Sequence, residues 1–587
     1  MTSMITHEVD SPGASCDNGA GTDLLVGPPE AFVGVRGRTD ESVPAPVSGT
    51  VRNGAAGSMT KPYDAILIGA GHNGLVAAAY LARAGRKVLV LERRERVGGC
   101  VVTEEPWPGF KVSTASYVNS LFRPEIIRDL ELKRHGFSMI PRSPSSFTPL
   151  PDGRFLMMGP DREMTRREVA KFSAKDAEAL PRYEAMLERI AGFLEPMLMQ
   201  TPPDPWSLAP GNLWKLAKAA WNFRRLGRDG RQAVEILSGA ADPILDRWFE
   251  SEVLKTTIST DAIIGAFATP SMPGTAYVLF HHVMGECDGA RGVWGYVRGG
   301  MGALSESIAS SARAHGAEIR VNAPVARILV EGGRACGVIL ANGDELRASK
   351  VVSCLDANLT FLRLLDPKDL PSEFVDAVRH LDYSSASCKI NLALSEAPRF
   401  TCLPGEGVGP QHHGTMHICP DRTTIEKAYD CAKYGLPSDR PVIEATMPSA
   451  LDDSLAPKGS HVMSMFTQYF PYKLAPEAGG LEEAKKRYAE KCIDIVTEYA
   501  PNFRRSVLNY QVLAPADLEK TFGLTGGNIM QGAMSLSSLA FMRPVPGYAD
   551  YRTPVKGLYL CGAATHPGGG VTGACGYNAA REILGDG

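Results

Sequence analysis

Short apolar runs at 66–68 and 88–91 flank a segment, 75–84, in which alanines and leucines recur at helical spacing. An unbroken apolar run of three or four residues suits a parallel strand buried on both faces. Gly85 stands where a left-handed residue ends a helix. The pattern predicts strand, helix and strand within about 30 residues, the length of a βαβ unit. A second stretch repeats this logic. Leu304, Ile308 and Ala312 fall on one helix face, Gly316 closes that helix, and strands follow at 318–321, 325–330 and 335–340. Asn342-Gly343 makes a hairpin turn before Glu345-Leu346, and Val351-Val352-Ser353 returns to the sheet.

Two long inserts, at about 150–295 and 366–540, mix helical patterns (174–198, 481–499) with strand patterns (388–394, 442–445, 461–468). The expected fold class is α/β. A discontinuous Rossmann-type domain is formed by 59–150, 296–365 and 541–587, and a mixed α+β substrate or cap domain, 151–295 and 366–540, is inserted into it. Over 213–226, Lys215, Lys218, Asn222 and Arg225 are assigned to one helical stripe, with Trp214, Ala217 and Trp221 opposite. Such a helix either packs on the substrate domain or makes a peripheral membrane contact.

Composition narrows this picture only in places. The chain has 587 residues, 44% hydrophobic and 22% charged, with a net charge of -3. That supports two or more full cores and gives no basic footprint for nucleic acid. Its 12 cysteines include no C-x-x-C pair, so neither a zinc site nor a dithiol centre is expected, and no metal is assigned. No uncharged apolar stretch reaches the roughly 18 residues of a membrane span. Residues 1–58 are rich in Gly, Pro, Ser and Thr, with acids outnumbering arginines. This predicts a disordered tail, neither signal peptide nor presequence, with Met59 as the expected start of the folded part.

The chemistry is concentrated at the two ends. Gly69-x-Gly71-x-x-Gly74 follows the first strand, and Glu92 ends the second, followed by Arg93. The glycines allow a tight turn, close approach to a pyrophosphate and helix–strand packing, and the acid receives ribose hydroxyls. The helix N-terminus faces the phosphates. Gly98-Gly99 add the second turn found in FAD proteins of the glutathione reductase type, where the backbone at the position of Val325 meets adenine. Near the finish stand Gly562 and His566-Pro567-Gly568-Gly569-Gly570-Val571. Backbone N–H groups at 568–571, before a helix running toward Arg581, are expected to hold the O2/N1 edge of a flavin, with Gly569, Gly570 and Val571 in contact. His566 either accepts a proton beside the flavin or only shapes the loop. His281-His282, read as a strand, face opposite ways, which favours a structural role. His412-His413, with His417 nearby, are read as a solvent-facing loop, with metal binding the rival.

Six segments carry a resemblance: 69–81, Trp248-Phe249-Glu250-Ser251-Glu252, His281-His282-Val283-Met284-Gly285, Trp294-Gly295-Tyr296-Val297 with 299–304, Phe466-Thr467-Gln468-Tyr469, and the His566 block. From residue 62 to about 585 the chain resembles the phytoene desaturase-related branch of the carotenoid and amine oxidoreductase superfamily. Within it, the match is closest to an animal group named for pyridine nucleotide-disulfide oxidoreductase domains. That name is misleading here, because the redox-active cysteine pair is absent. Ala563 stands where many FAD enzymes have Asp, as in bacterial carotenoid desaturases. The resemblance implies FAD as cofactor and hydride transfer to flavin from an apolar, isoprenoid-like or polyene-like small molecule. The alternatives are an amine-oxidase-like flavoenzyme and a flavin-binding interaction protein with little turnover. For a eukaryotic chain the resemblance also implies a regulator of mitochondrial function in the matrix, with a cytochrome c oxidase subunit as partner. For a bacterial chain it implies the cytoplasm or the inner-membrane face.

Overall fold

The computed structural model describes residues 62–287 and 289–586. The expected tail at 1–58 and Met59 lie outside the described residues.

Tyr63–Ile68, His72–Arg83 and Val88–Leu91 form the expected βαβ unit. All four residues of Val88–Leu91 are buried. The strands pair in parallel from Ala65 opposite Val88 to Ile68 opposite Leu91. Glu318–Arg320 flanks Val88–Leu91, and Glu345–Ser353 flanks Tyr63–Ile68 on its other side. The two strand fragments expected at 345–346 and 351–353 are one nine-residue strand. Its first half runs antiparallel to Arg334–Leu340, and its second half lies in parallel between Tyr63–Ile68 and Leu558–Leu560. In this way the two ends of the chain become neighbours in one sheet.

Helices His72–Arg83, Gly302–Ala314 and Ala574–Gly585 share one core, with Leu81, Leu304, Ile308 and Ile583 buried together. Ile66, Leu89 and Leu91 turn to a second core with Phe361, Phe374 and Val378. Each such fully buried side chain contributes roughly 1.5–3 kcal/mol. A Cβ at Gly576 would stand 2.0 Å from Asn73 O, so the last and first helices meet backbone to backbone there.

The second sheet has the order Val507–Leu513, Ser387–Leu394, His461–Gln468, Val442–Thr446, Thr415–Ile418, Ser146–Pro149, Phe155–Met158. Ser146–Pro149 pairs in parallel with Thr415–Ile418; the other neighbours are antiparallel. Ser146–Pro149 lies within the segment expected to belong to the nucleotide-binding domain. The reassignment has a simple cause, since sheet membership is set by a partner roughly 270 residues away that leaves no local mark. Ile390, Leu392, Ile443, Ala445, Met463 and Met465 pack under helix Leu481–Tyr499. With a side-chain period of two, Lys389, Asn391, Glu444 and Ser464 turn to the opposite face.

Three local expectations need correction. His281 and His282 lie on a helix, Thr275–Val283, and both are buried. His412 is buried in a short helix, its Nδ1 accepting from Gly409 N and its Nε2 donating to Pro398 O; His413 is half-buried and His417 is buried. On helix Pro210–Arg225, Trp214, Lys218, Trp221 and Arg225 share the outward side, because residues four and seven apart lie on one helical face. Asn212, Leu216, Ala219 and Phe223 face inward and are half-buried.

Candidate active site

A cavity of about 770 Å³ is bounded at one end by the carboxyl ends of Tyr63–Ile68 and Val88–Leu91 and at the other by the polar face of the second sheet. Of the residues expected from the sequence, Gly69, Gly71, Glu92, Arg93, Gly99, Val325, Gly570 and Val571 line it. Gly74, Gly98, Gly562 and Gly569 stand behind the wall. A Cβ there would lie 2.4 Å from Gly69 O, 2.3 Å from Val101 O, 2.4 Å from Cys354 O and 2.3 Å from Met530 Sδ, respectively. Those four permit packing, whereas the others line the cavity itself.

The nucleotide end fits a dinucleotide on its own terms. Gly69 turns at φ +92°, a conformation that suits glycine. Glu92 is buried, its Oε2 accepting from Ala70 N at 2.8 Å and its Oε1 from Arg94 N at 3.0 Å. His72 Nε2 and Asn73 Oδ1, at the start of the glycine-turn helix, are buried on the cavity without a partner. Buried polar atoms normally have partners, so this pair marks where a polar ligand belongs. The Arg93 guanidinium donates to Lys520 O and Thr521 O, closing the carboxyl end of helix Pro515–Phe522 over the same opening.

The C-terminal loop is fixed by Arg543, a fully buried residue. Its Nε and Nη2 donate to Ala563 O at 3.0 and 2.8 Å, Nη2 to Met530 O at 2.6 Å, and Nη1 to Ala533 O and Ser538 O at 3.2 Å each. His566 does not line the cavity. Its Nε2 bonds Met197 O at 2.9 Å, at the end of helix Ala174–Leu198, and burial lowers its pKa to about 4. A neutral ring must donate from Nε2 to that carbonyl. The geometry thus places His566 as a clamp on the loop and gives no support to the proton-accepting role expected of it. His281 packs against Gly570, and burial, then His282, lowers it to about 3.

The far wall holds a group of side chains that the sequence reading did not assemble: Arg142, Asp261, His282, Lys389, His417 and Glu444. His417 Nδ1 lies 3.5 Å from Glu444 Oε1 and 2.9 Å from Thr260 Oγ1. His282 donates from Nδ1 to Val278 O and stacks on Trp294. Lys389 donates to Asn391 Oδ1 at 2.6 Å, Ser113 O at 3.2 Å and Ser464 Oγ, and burial lowers it to about 7. Polar residues alternating with apolar ones through Ser387–Leu394 were the available signal, since a strand cannot bury Lys389 and Asn391 in a core. The remaining wall is apolar, with Leu180, Leu187, Ile258, Ile264 and Val293. Cys100 also lines the cavity, and burial pushes its thiol up to about 12, so it is no reactive thiolate. Among the described residues no cluster of His, Cys, Asp and Glu could hold a metal.

Comparison with known proteins decides the family. A model of flavin containing amine oxidoreductases matches residues 74–482. The chain belongs to that family. It is an α/β flavoprotein oxidoreductase. Pyridine nucleotide-disulfide oxidoreductase domain-containing protein 2 of Rattus norvegicus is 48% identical over 94% of this chain and 98% of its own length, in line with the resemblance read from the sequence. A limonene dehydrogenase subunit of Castellaniella defragrans is 26% identical over 90% of this chain and 96% of its own. Among solved structures, a putrescine oxidase triple mutant shares the fold with a TM-score of 0.55 at 17% identity, covering 89% of this chain and 98% of that one. For this member of the amine oxidoreductase family, local motifs pointed to the glycine-turn end of the cavity, and the polar far wall left no such mark.

Proposed function

We propose that the protein is an FAD-dependent oxidoreductase of the desaturase or dehydrogenase type, acting on a predominantly apolar small molecule. The observation that carries this reading is the continuity of one cavity from the glycine turn and Glu92 to a wall of aliphatic side chains. Bound FAD would supply the hydride acceptor. Gly69, Gly71, Glu92, Gly99, Val325, Gly570 and Val571 would hold it. Leu180, Leu187, Ile258 and Ile264 receive the apolar body and exclude water. Above about pH 7 Lys389 Nζ is neutral and is the cavity group placed to take a proton. A relative named as a limonene dehydrogenase supports the apolar class, limonene being a hydrocarbon.

The test is an anaerobic flavin-reduction screen of the purified yellow protein over terpenes, polyenes, quinols, amines and NAD(P)H. Bleaching by a terpene or polyene is expected. Bleaching only by amines would replace this reading with an amine oxidase one, and protein that stays colourless with added FAD would end the flavin reading itself.

A further inference from the structure

Arg142 is buried at the cavity wall. Its Nη1 donates to Thr415 Oγ1 at 2.9 Å, its guanidinium faces the Tyr296 ring, and its Nε has no partner. Among the described residues no carboxylate forms an ion pair with it. The two acids of the neighbourhood are otherwise engaged: Glu444 faces His417, and burial raises Asp261 toward its neutral form. Ser146, the cross-strand partner of Thr415, adds a second buried atom without a partner, its Oγ. A buried guanidinium answered only by a hydroxyl and a ring holds an uncompensated charge. Its planar fork matches a carboxylate. Asp261, Glu444, His282, Lys389, His417, Tyr117 and Tyr296 are the other titratable groups of this wall. One guanidinium fork sharing its wall with Glu444, which His417 helps hold as a carboxylate, disfavours a dianion such as a phosphate ester.

Building on the proposed apolar substrate, we propose that Arg142, with Ser146 beside it, anchors a carboxylate at one end of that molecule, so the substrate class is an apolar chain or ring bearing an acid. The test is titration of FAD-loaded protein with citronellic acid, citronellol, citronellyl phosphate and limonene, read as perturbation of the flavin absorbance. The acid should bind at least about tenfold more tightly than the alcohol or limonene, a difference of about 1.4 kcal/mol. Arg142→Met should abolish that preference while leaving citronellol binding in place, and Arg142→Lys should keep part of it. Thr415→Val, which frees Nη1 without removing the charge, is the second variant should Arg142→Met lose its flavin. Equal binding of acid and alcohol, tighter binding of the phosphate, or an equal loss for all probes in Arg142→Met would overturn the anchor. So would silence from all four probes in a holoprotein that another substrate still bleaches. Protein without flavin would instead fail the underlying oxidoreductase reading.

A different surface carries a second inference. Residues 205–228 contain Trp206, Trp214 and Trp221, the cations Lys215, Lys218, Arg224, Arg225 and Arg228, and no acid. Helix Pro210–Arg225 has no buried residue. Trp214 is 70% and Trp221 64% exposed, on the same side as Lys218 and Arg225. Exposed Leu208 and Leu213 widen the patch, and Trp206 touches Phe541 edge to face. Inward, Phe223 meets Phe193 of helix Ala174–Leu198, whose Leu180, Tyr183 and Leu187 wall the cavity. Indole rings beside lysines and arginines are the chemistry of a bilayer interface with anionic headgroups. Among the described residues no helix is long and apolar enough to cross a membrane, so this face would lie on the surface.

We infer that this helix docks the protein on an anionic lipid surface. Flotation of the full-length holoprotein with phosphatidylglycerol–phosphatidylcholine vesicles, against phosphatidylcholine alone, tests it. Binding to the anionic vesicles should weaken at high salt and shift the indole emission to the blue. Both Trp214→Ala/Trp221→Ala and Lys218→Gln/Arg225→Gln should weaken it by at least about tenfold with flavin content unchanged. Equal binding to both vesicle types, no binding, or a stable dimer that hides Trp214 and Trp221 from quenchers would overturn it.

Discussion

Arg543 shows how much a single side chain can fix in this molecule. A buried guanidinium surrounded by the carbonyls of Met530, Gly532, Ala533, Ser538 and Ala563, with six hydrogen bonds of 3.2 Å or less, cannot be replaced by a point-like ammonium. Arg543→Lys should leave at least two carbonyls unanswered and cost on the order of 3 kcal/mol, read as a lowered urea midpoint together with flavin loss. Lys389 makes the residue-scale prediction for activity. Its pKa lies near 7, so the rate of anaerobic flavin reduction should rise as pH increases through 7 and then level off. Lys389→Met should flatten that step, and a step that survives the substitution would remove Lys389 from the chemistry. At this scale the sequence was readable where function is built from backbone. Gly69, Gly71 and Glu92 announce themselves through local spacing. Lys389, His417 and Glu444 come from strands far apart in the chain and Arg142 from the loop before Ser146–Pro149, and only the pairing of Thr415–Ile418, Val442–Thr446, Ser387–Leu394 and Ser146–Pro149 with their neighbours brings them together.

Elements were legible in proportion to their periodicity. Ala174–Leu198, His461–Gln468 and Leu481–Tyr499 match the sequence reading residue for residue, whereas His281-His282 looked like strand and is helix. Two adjacent histidines carry no period of their own, and the apolar neighbours at 276–280 decide the matter by packing inward. The contact between the first and last helices gives a sharp test. Gly576→Ala would drive a methyl to 2.0 Å from Asn73 O, an overpacking expected to cost about 1–3 kcal/mol and to loosen the flavin through the glycine turn. Gly585→Ala on the same helix meets nothing within 4 Å and should be neutral or slightly stabilising. Similar melting temperatures for the two variants would show that the helices part without cost.

For the whole molecule, acid should act through one region. His72, His281 and His566 all adjoin the C-terminal loop or its glycine partner, and burial lowers them from 6.5 to about 4, 3 and 4. The unfolded chain therefore takes up these protons first as pH falls. Their contribution to stability is complete above pH 6.5 and is lost progressively as pH drops toward 4. Flavin release, followed by its fluorescence, should track the same window, and His566→Gln should make the decline shallower. An unchanged slope in that variant would place the acid sensitivity elsewhere.

Helix Ala174–Leu198 spans about 37 Å at 1.5 Å per residue and touches three places at once. Phe193 supports the tryptophan helix, Leu180 and Leu187 wall the cavity, and Met197 O and Leu198 O receive His566 and Asn578 beside the flavin loop. If flavin and lipid bind as proposed, this one helix gives their affinities a route to depend on each other. By reciprocity, any factor by which flavin occupancy tightens vesicle binding must equal the factor by which vesicles tighten flavin binding. Measuring either one fixes the other.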